Sequence, residues 1–293
     1  MRYACRCMVS SFPRTEPEST TRPPHKPIPY WRPPIPKEHG AWALLYGPFA
    51  ITLLAFGRAD WRTPLFFLAL TSLFLAHEPL SRLARPSSGS VAPARQAYWR
   101  RWIVLEMMAT LASGSLLVWC YGLWELPFIG LVAALPFLIH LGLVSRRQER
   151  QVAGELLGVL GLTAAGAPTT YYVMQESLDS TALLLWLVNF LYFSSAVFYV
   201  KMRVSPFSRK EDERLRRRQC LAFHLFLLAA VVALAAAGWI HPALLFAFAP
   251  ILIRAFWGLS QSGGRLNLKR IGYSEVAFTV LFVIFSAWAW RAG

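Results

Sequence analysis

The stretch IPKEHGAWALLYGPFAITLLAF (residues 35–56) places three polar side chains, Lys37, Glu38 and His39, directly before a run that contains no charged residue. The hydrocarbon core of a membrane is about 30 Å thick, and a helix needs about 20 mostly apolar residues to cross it. Every backbone polar group must also be satisfied inside such a segment, which a helix achieves by itself. The stretch therefore predicts a membrane-spanning helix with a polar start.

The rest of the chain repeats this pattern. Of its 293 residues 56% are hydrophobic and only 15% are charged, which is typical of a polytopic membrane protein. Nine windows are predicted to span the membrane, and the second is the weakest because His77 and Glu78 interrupt its end. The windows are residues 41–57, 64–80, 102–122, 126–144, 152–173, 181–200, 220–240, 242–257 and 273–290. The predicted fold class is an all-α transmembrane bundle.

Positive charge is distributed very unevenly between the connections. The N-terminal tail and the loops at residues 81–101, 145–151, 201–219 and 260–271 together hold 26 of the 30 Lys and Arg residues. By the positive-inside rule these segments are cytoplasmic, so the N-terminus is inside and, after nine spans, the C-terminus is outside. The net charge of +15 is thereby explained by topology. The expected partner is the lipid bilayer, not nucleic acid.

Residues 1–35 differ in composition from the rest of the chain. They are rich in Pro and Arg and lack the apolar core of a signal peptide, so we predict a disordered cytoplasmic tail followed by a transmembrane domain at residues 36–293. The cysteines, Cys5, Cys7, Cys120 and Cys220, lack the paired spacing of a metal site or a disulfide framework. No metal or other cofactor is expected.

Ionisable side chains inside spans are costly and usually face a cavity or a partner. Most of those in this chain lie near the predicted cytoplasmic ends of their helices, where they can converge on one polar cavity. The alternative is that each reaches the interface or closes a helix-end ion pair, and this alternative is favoured for Glu106, His140 and His224. The cavity is favoured for a second group: Glu38, His39, Glu78, Arg254 and Glu275.

The loops after the second and sixth spans carry cations from the helix end outward. Arg82 and Arg85 follow the second span, and Lys201 and Arg203 follow the sixth. Together they predict a pocket for a phosphate or another acidic head group. General enrichment of cations in inner loops is the alternative explanation. Glu155, Lys269 and Glu275, near the starts of spans five and nine, are predicted to support the pocket.

Three motifs carry a resemblance to a known family. PKEHGAW at the first span, GELLG in the fifth and LKRIGYSE before the last resemble the YwiC-like family of bacterial integral membrane proteins. The resemblance covers the chain after about residue 35. It implies a multi-pass protein of the bacterial cytoplasmic (inner) membrane, and it implies architecture more than chemistry.

The span number and the two elaborated inner loops are also similar to the UbiA superfamily of intramembrane prenyltransferases. That similarity implies aspartate-rich motifs that hold magnesium and a prenyl diphosphate. This chain departs from them, because Glu78 is the one carboxylate kept in the first motif and Ser194 and Lys201 stand in the second. Magnesium takes oxygen ligands, which Lys and Arg cannot supply. Magnesium-dependent transfer of the usual kind is therefore not expected.

Three functions remain open from the sequence. The first is a transferase-type enzyme that handles a lipid or isoprenoid with an acidic head group. In this hypothesis Lys37, Arg254 and the loop cations bind the anion, while Glu38, His39 or Glu78 moves protons. The second is a non-catalytic membrane partner or assembly factor. The third is a transporter that uses the same groups as a relay.

Overall fold

The structure is a computed structural model that describes residues 31–36, 39–58, 60–85, 93–148, 151–204, 210–260 and 268–293. The side chains at positions 39, 204, 210–212 and 268–271 lie outside the described set. Residues Pro33–Gly293 form one compact unit. The predicted disordered tail falls almost entirely outside the described residues and stays a prediction.

Regular structure in the described ranges is helical throughout. The helices are α1 (His39–Phe56), α2 (Arg62–Ala84), α3 (Pro93–Tyr121), α4 (Leu126–Ser145), α5 (Val152–Gly166), α6 (Pro168–Gln175), α7 (Ser180–Val204), α8 (Lys210–Ala236), α9 (Leu244–Ser260) and α10 (Leu268–Ala292). This confirms the predicted all-α class.

The helices coincide with the predicted spans. Seven segments are long and apolar enough to cross a membrane, with α5 and α6 together forming one of them, Val152–Gln175. Two shorter apolar helices, Gly40–Phe56 and Leu244–Ser260, occupy the first and eighth predicted windows. The weak second window is one continuous helix that runs through His77 and Glu78. The polytopic helical bundle is thus confirmed.

The fifth span is broken where Pro168 removes a backbone donor. The α5 helix ends at Gly166, and Pro168 begins α6. The carbonyl of Ala164, four residues before Pro168, instead accepts a hydrogen bond of 2.9 Å from the Thr169 hydroxyl. The side-chain hydroxyl thus replaces the backbone N–H that Pro168 lacks, and the Ala164 carbonyl does not remain unsatisfied in the bundle.

The break lies against α1. A Cβ atom placed on Gly166 would lie 2.8 Å from the carbonyl oxygen of Leu45, so the absence of a side chain permits this contact. Gly161 similarly allows close approach of α4, with Pro136 3.4 Å away, whereas the corresponding position on Gly158 meets nothing within 4 Å. The glycines of this span therefore differ in role.

The most buried of the long spans is α7, which packs on α5, α8 and α9, while α1 packs on α10. The residues buried around α7 include Leu185, Tyr192 and Phe193, which meet Phe248 of α9 and Phe282 of α10. By contrast α4 exposes a row of large apolar residues, Leu131, Leu135, Leu138 and Ile139, as expected for a face in contact with lipid. The bundle therefore has a packed interior beside α7.

The start of α1 is fixed by Trp42. Its indole Nε1 donates a hydrogen bond of 3.2 Å to the carbonyl of Pro36, and its ring packs edge-on against Phe74 of α2. Trp42 thus ties the chain before α1 to the second span. Gly40, two residues before Trp42, has nothing within 4 Å of its ideal Cβ position.

Candidate functional site

One end of the bundle gathers the polar side chains. We call it the site end; it is where α1, α3, α5, α8 and α10 begin and where α2, α4, α7 and α9 end. The direct contacts described below connect α2, α4, α5, α7, α9 and α10 at this end. It is also the end that the positive-inside rule assigns to the cytoplasm.

An ion pair joins α5 to α7 at the site end. Lys201 Nζ lies 2.8 Å from Glu155 Oε1, and the lysine side chain is 15% exposed while the glutamate is 39% exposed. Glu155 stands in the first turn of α5, where a negative charge also interacts favourably with the helix dipole. The structure therefore brings together a predicted anion-binding residue and a predicted supporting residue.

A second ion pair joins α9 to α10. Arg254 is only 6% exposed, and its Nη1 atom contacts a carboxylate oxygen of Glu275. The guanidinium carbon lies 4.2 Å from the ring centre of Tyr199 and 5.0 Å from that of Phe278. Gly258 allows Tyr199 to pack this closely, since a Cβ atom there would lie 2.8 Å from the tyrosine ring.

The remaining donors of Arg254 are unusual. Its Nε and Nη2 atoms are buried and have no hydrogen-bond partner among the described residues. These two nitrogens form the side-on edge of the guanidinium, whose parallel N–H groups match two oxygens of one carboxylate or phosphate group. An unmade hydrogen bond of this kind costs about 1–3 kcal/mol for each buried group. The two unmade hydrogen bonds of Arg254 therefore lower the free energy of unfolding of the protein.

Tyr199 stands at the centre of this group. Its hydroxyl is within electrostatic range of Arg254, Arg203, Glu275 and Cys220. Arg203 follows Tyr199 by four positions on α7, so both lie on one face of the helix. The Nε atom of Arg203 is likewise buried without a hydrogen-bond partner in the described part of the chain. We call Tyr199, Arg203, Arg254 and Glu275 the arginine site.

Two histidines extend the polar contacts toward α2. The rings of His77 in α2 and His140 in α4 are 6.0 Å apart, and His140 Nδ1 is 3.0 Å from the carbonyl of Gly154. Since a carbonyl only accepts, the proton lies on Nδ1 in this contact. Gly154 precedes Glu155, so the contacts continue from α2 through α4 to α5 and α7.

The first predicted loop cluster is paired within itself. Glu78 and Arg82, one helical turn apart on α2, form an ion pair of 2.7 Å. Arg85 also has an interaction partner. The structure therefore places these residues at the site end, and their convergence with Lys201 and Arg203 on one cavity stays a prediction.

Four predicted site positions cannot be placed by side chain. Lys37 and Glu38 lie outside the described residues, and for His39 and Lys269 only the helical backbone is described. The roles predicted for them stay predictions. His224, expected at the interface, is instead fully buried, with Nδ1 2.7 Å from the carbonyl of Cys220.

Sequence reasoning missed Tyr199 and Phe278, which enclose Arg254, and did not place His77 and His140 in the site. An aromatic residue in an apolar span looks like core or lipid-facing surface, so only its position four residues before Arg203 was informative. Within the described residues no group of three or more His, Cys, Asp or Glu side chains is arranged to hold a metal ion.

Comparison with known proteins agrees with the motif resemblance. Residues 35–171 match the family model described as YwiC-like protein, which confirms the resemblance predicted from the sequence. The chain is also similar to a protein of Bacillus subtilis (strain 168) described as "Uncharacterized protein YwiC", with 29% identity over 249 residues that cover 85% of this chain and 95% of the relative. No solved structure matches the chain, so the UbiA-like arrangement stays a prediction.

Proposed function

We propose that this multi-pass membrane protein, YwiC-like over residues 35–171, binds a lipid or isoprenoid with an acidic head group at the site end and acts on it as a transferase-type enzyme. Arg254 and Arg203 bind the anionic group, and the Lys201–Glu155 pair borders the site. Proton transfer is assigned to Glu38, His39 or Glu78, on the sequence reasoning given above.

The observation that carries this proposal is the unpaired edge of Arg254. A charged side chain that is 6% exposed, with two N–H groups left without partners, is expensive to keep inside a membrane protein. An acidic group supplies both missing acceptors at once. Because the surroundings are apolar, that interaction is stronger than it would be in water.

Access to Arg254 requires a movement of Tyr199. The ring of Tyr199 covers the guanidinium at 4.2 Å, and the tyrosine is 9% exposed. Rotation of this side chain on ligand binding is therefore part of the proposal. The same rotation places the tyrosine hydroxyl beside the incoming group, where it can donate a hydrogen bond.

The break between α5 and α6 does not by itself favour transport. Discontinuous helices of transporters use unwound backbone groups to bind their cargo. Here the carbonyl freed by Pro168 is already satisfied by Thr169. We therefore place transport and a purely structural role below ligand binding.

The proposal is tested by mass spectrometry of small molecules that copurify with the wild-type protein and two variants. Arg254→Lys keeps a positive charge but loses the two parallel donors of the guanidinium. The control variant, Arg217→Lys, makes the same change in the Arg217–Glu213 ion pair within α8, outside the arginine site. We expect the wild type and Arg217→Lys to retain an acidic amphiphile that is reduced at least about tenfold in Arg254→Lys, a difference of about 1.4 kcal/mol.

Equal amounts of bulk phospholipid in all three preparations would overturn the binding proposal.

The transferase part is tested by incubating the loaded protein with membrane extract. We expect a new mass derived from the retained molecule with the wild type and none with Glu78→Gln. If the mass of the retained molecule does not change with the wild type, the transferase part of the proposal is wrong and only the binding part stands.

We further propose that the membrane is the cytoplasmic (inner) membrane of a bacterium, with the N-terminus and the site end in the cytoplasm. The support is the concentration of 26 of the 30 Lys and Arg residues on that side. A reporter active only outside the cytoplasm is expected to work when fused at Gly293 and to fail at Arg147. Activity at Arg147 would contradict this orientation.

A further inference from the structure

We infer that the acidic group bound at the arginine site is a monoanion that presents two oxygens, a carboxylate or a phosphodiester, and not a phosphomonoester or a diphosphate. This inference rests on the proposed function and specifies its ligand. It follows from two independent features of the site, the geometry of the free donors and the balance of charge around them.

The geometry sets the number of oxygens. Nη1 of Arg254 is occupied by Glu275, whereas Nε and Nη2 lack partners in the described structure. These two donors point in parallel and are spaced to meet two oxygens on one carbon or phosphorus atom. The Nε atom of Arg203, on the face of α7 that carries Tyr199, is a further buried donor without a partner among the described residues. A single two-oxygen group therefore satisfies both free donors of Arg254.

The charge balance sets the charge. Lys201 is neutralised by Glu155, and Arg254 is neutralised by Glu275. Arg203 is the cation of the arginine site for which the described residues show no acidic partner. The Lys201–Glu155 pair, the Arg254–Glu275 pair and Arg203, summed over these described side chains, therefore carry a net charge of +1.

Charge matching matters here because the site is enclosed. Arg254 is 6% exposed, and the rings of Tyr199 and Phe278 both pack against its guanidinium. In such surroundings an ion without a counter-charge carries a large desolvation cost. A phosphomonoester carries about −1.5 to −2 at neutral pH, so it brings about one negative charge more than the site balances. A diphosphate brings still more.

The inference is tested by measuring Kd for four amphiphiles with the purified full-length protein in detergent at pH 8. Hexadecanoate is a carboxylate, dihexadecyl phosphate is a phosphodiester, hexadecyl phosphate is a phosphomonoester and farnesyl diphosphate is a diphosphate. We expect at least one monoanion to bind about tenfold or more tightly than both multiply charged compounds. The tighter of the two monoanions identifies whether the natural group is a carboxylate or a phosphodiester.

Two variants then change the charge without changing the size of the side chain. Glu275→Gln removes one negative charge beside Arg254, and Glu155→Gln removes one beside Lys201. Each is expected to shift the ratio of monoanion to phosphomonoester affinity at least about fivefold toward the phosphomonoester. Glu213→Gln, which removes a charge from the α8 pair with Arg217, is the matched control and is expected to leave the ratio unchanged.

The outcomes separate the inference from the proposal on which it rests. If none of the four amphiphiles binds to the wild type, the proposed function fails. If farnesyl diphosphate or hexadecyl phosphate binds most tightly to the wild type, acidic-lipid binding stands and the monoanion inference is overturned. The inference also fails if neither glutamine variant shifts the ratio, or if Glu213→Gln shifts it equally. Using both glutamine variants keeps the test valid if one of them does not fold.

Discussion

Replacement of Arg254 by alanine is expected to lower the free energy of unfolding by about 1 kcal/mol or more. Removing one partner of a buried ion pair leaves the other without compensation, at a cost of about 3–5 kcal/mol. Removal of the two unpaired donors of Arg254 offsets part of this cost. Arg254 and Glu275 are 6% and 23% exposed, so solvent screens their interaction only weakly. The substitution also removes the contacts of the guanidinium with Tyr199 and Phe278. We expect the midpoint of thermal unfolding in detergent to fall by about 2 °C or more.

Arg254→Lys is the informative companion to this variant. Lysine keeps the charge that compensates Glu275 and most of the aliphatic part of the side chain, so we expect it to lose less than half as much stability as the alanine variant. It cannot present two parallel donors, so ligand retention is expected to fall as far as in the alanine variant. An unfolding midpoint for Arg254→Ala within about 1 °C of the wild type would contradict the buried-pair argument.

The positions of the spans could be predicted from sequence because each depends on local composition. Every predicted window coincides with a helix, and the break in the fifth span was foreseeable from Pro168, which lacks a backbone donor. The contacts that the chain forms at this break could not be predicted from the sequence. They depend on Thr169 reaching the freed carbonyl and on Gly166 meeting α1, and both contacts require the folded backbone.

The composition of the site was predictable in part. The cost of charge in lipid identified Arg254, Glu155 and Glu275 as residues that need partners. Their actual partners depend on how each helix is rotated about its axis and on which helices are neighbours, and neither follows from hydropathy. Tyr199 was missed for the same reason, since only the packing of α7 against α9 shows that its ring covers Arg254.

The role predicted for the polar start of α1 stays a prediction. Trp42 packs against Phe74 in α2 and bonds to Pro36, so the start of α1 is tied to α2 at the site end. Phe74 lies one helical turn before Glu78 on α2.

Exchange of the charges at positions 155 and 201 is expected to separate two roles for Lys201. Glu155→Lys and Lys201→Glu each place like charges in the position of a 2.8 Å ion pair and are expected to destabilise the protein. The double variant restores opposite charges. We expect a coupling energy of about 1–3 kcal/mol, which is typical of residues in direct contact. It is measured as a double-mutant cycle by thermal or denaturant unfolding, and a double variant no more stable than its single parents would show that the pair does not couple α5 to α7.

The same four proteins also test how Lys201 contributes to ligand binding. Lys201→Glu changes the described charge of the two ion pairs and Arg203 from +1 to −1, and we expect loss of the acidic amphiphile, by at least about tenfold in Kd. The double variant returns the total to +1 but moves the lysine from α7 to α5. If Lys201 acts through charge balance, the double variant recovers most of the affinity, and this is the result we expect because Glu155 already engages its ammonium group. Recovery of stability without recovery of binding would instead mean that Lys201 contacts the ligand directly and that its pairing with Glu155 is exchanged for the ligand on binding.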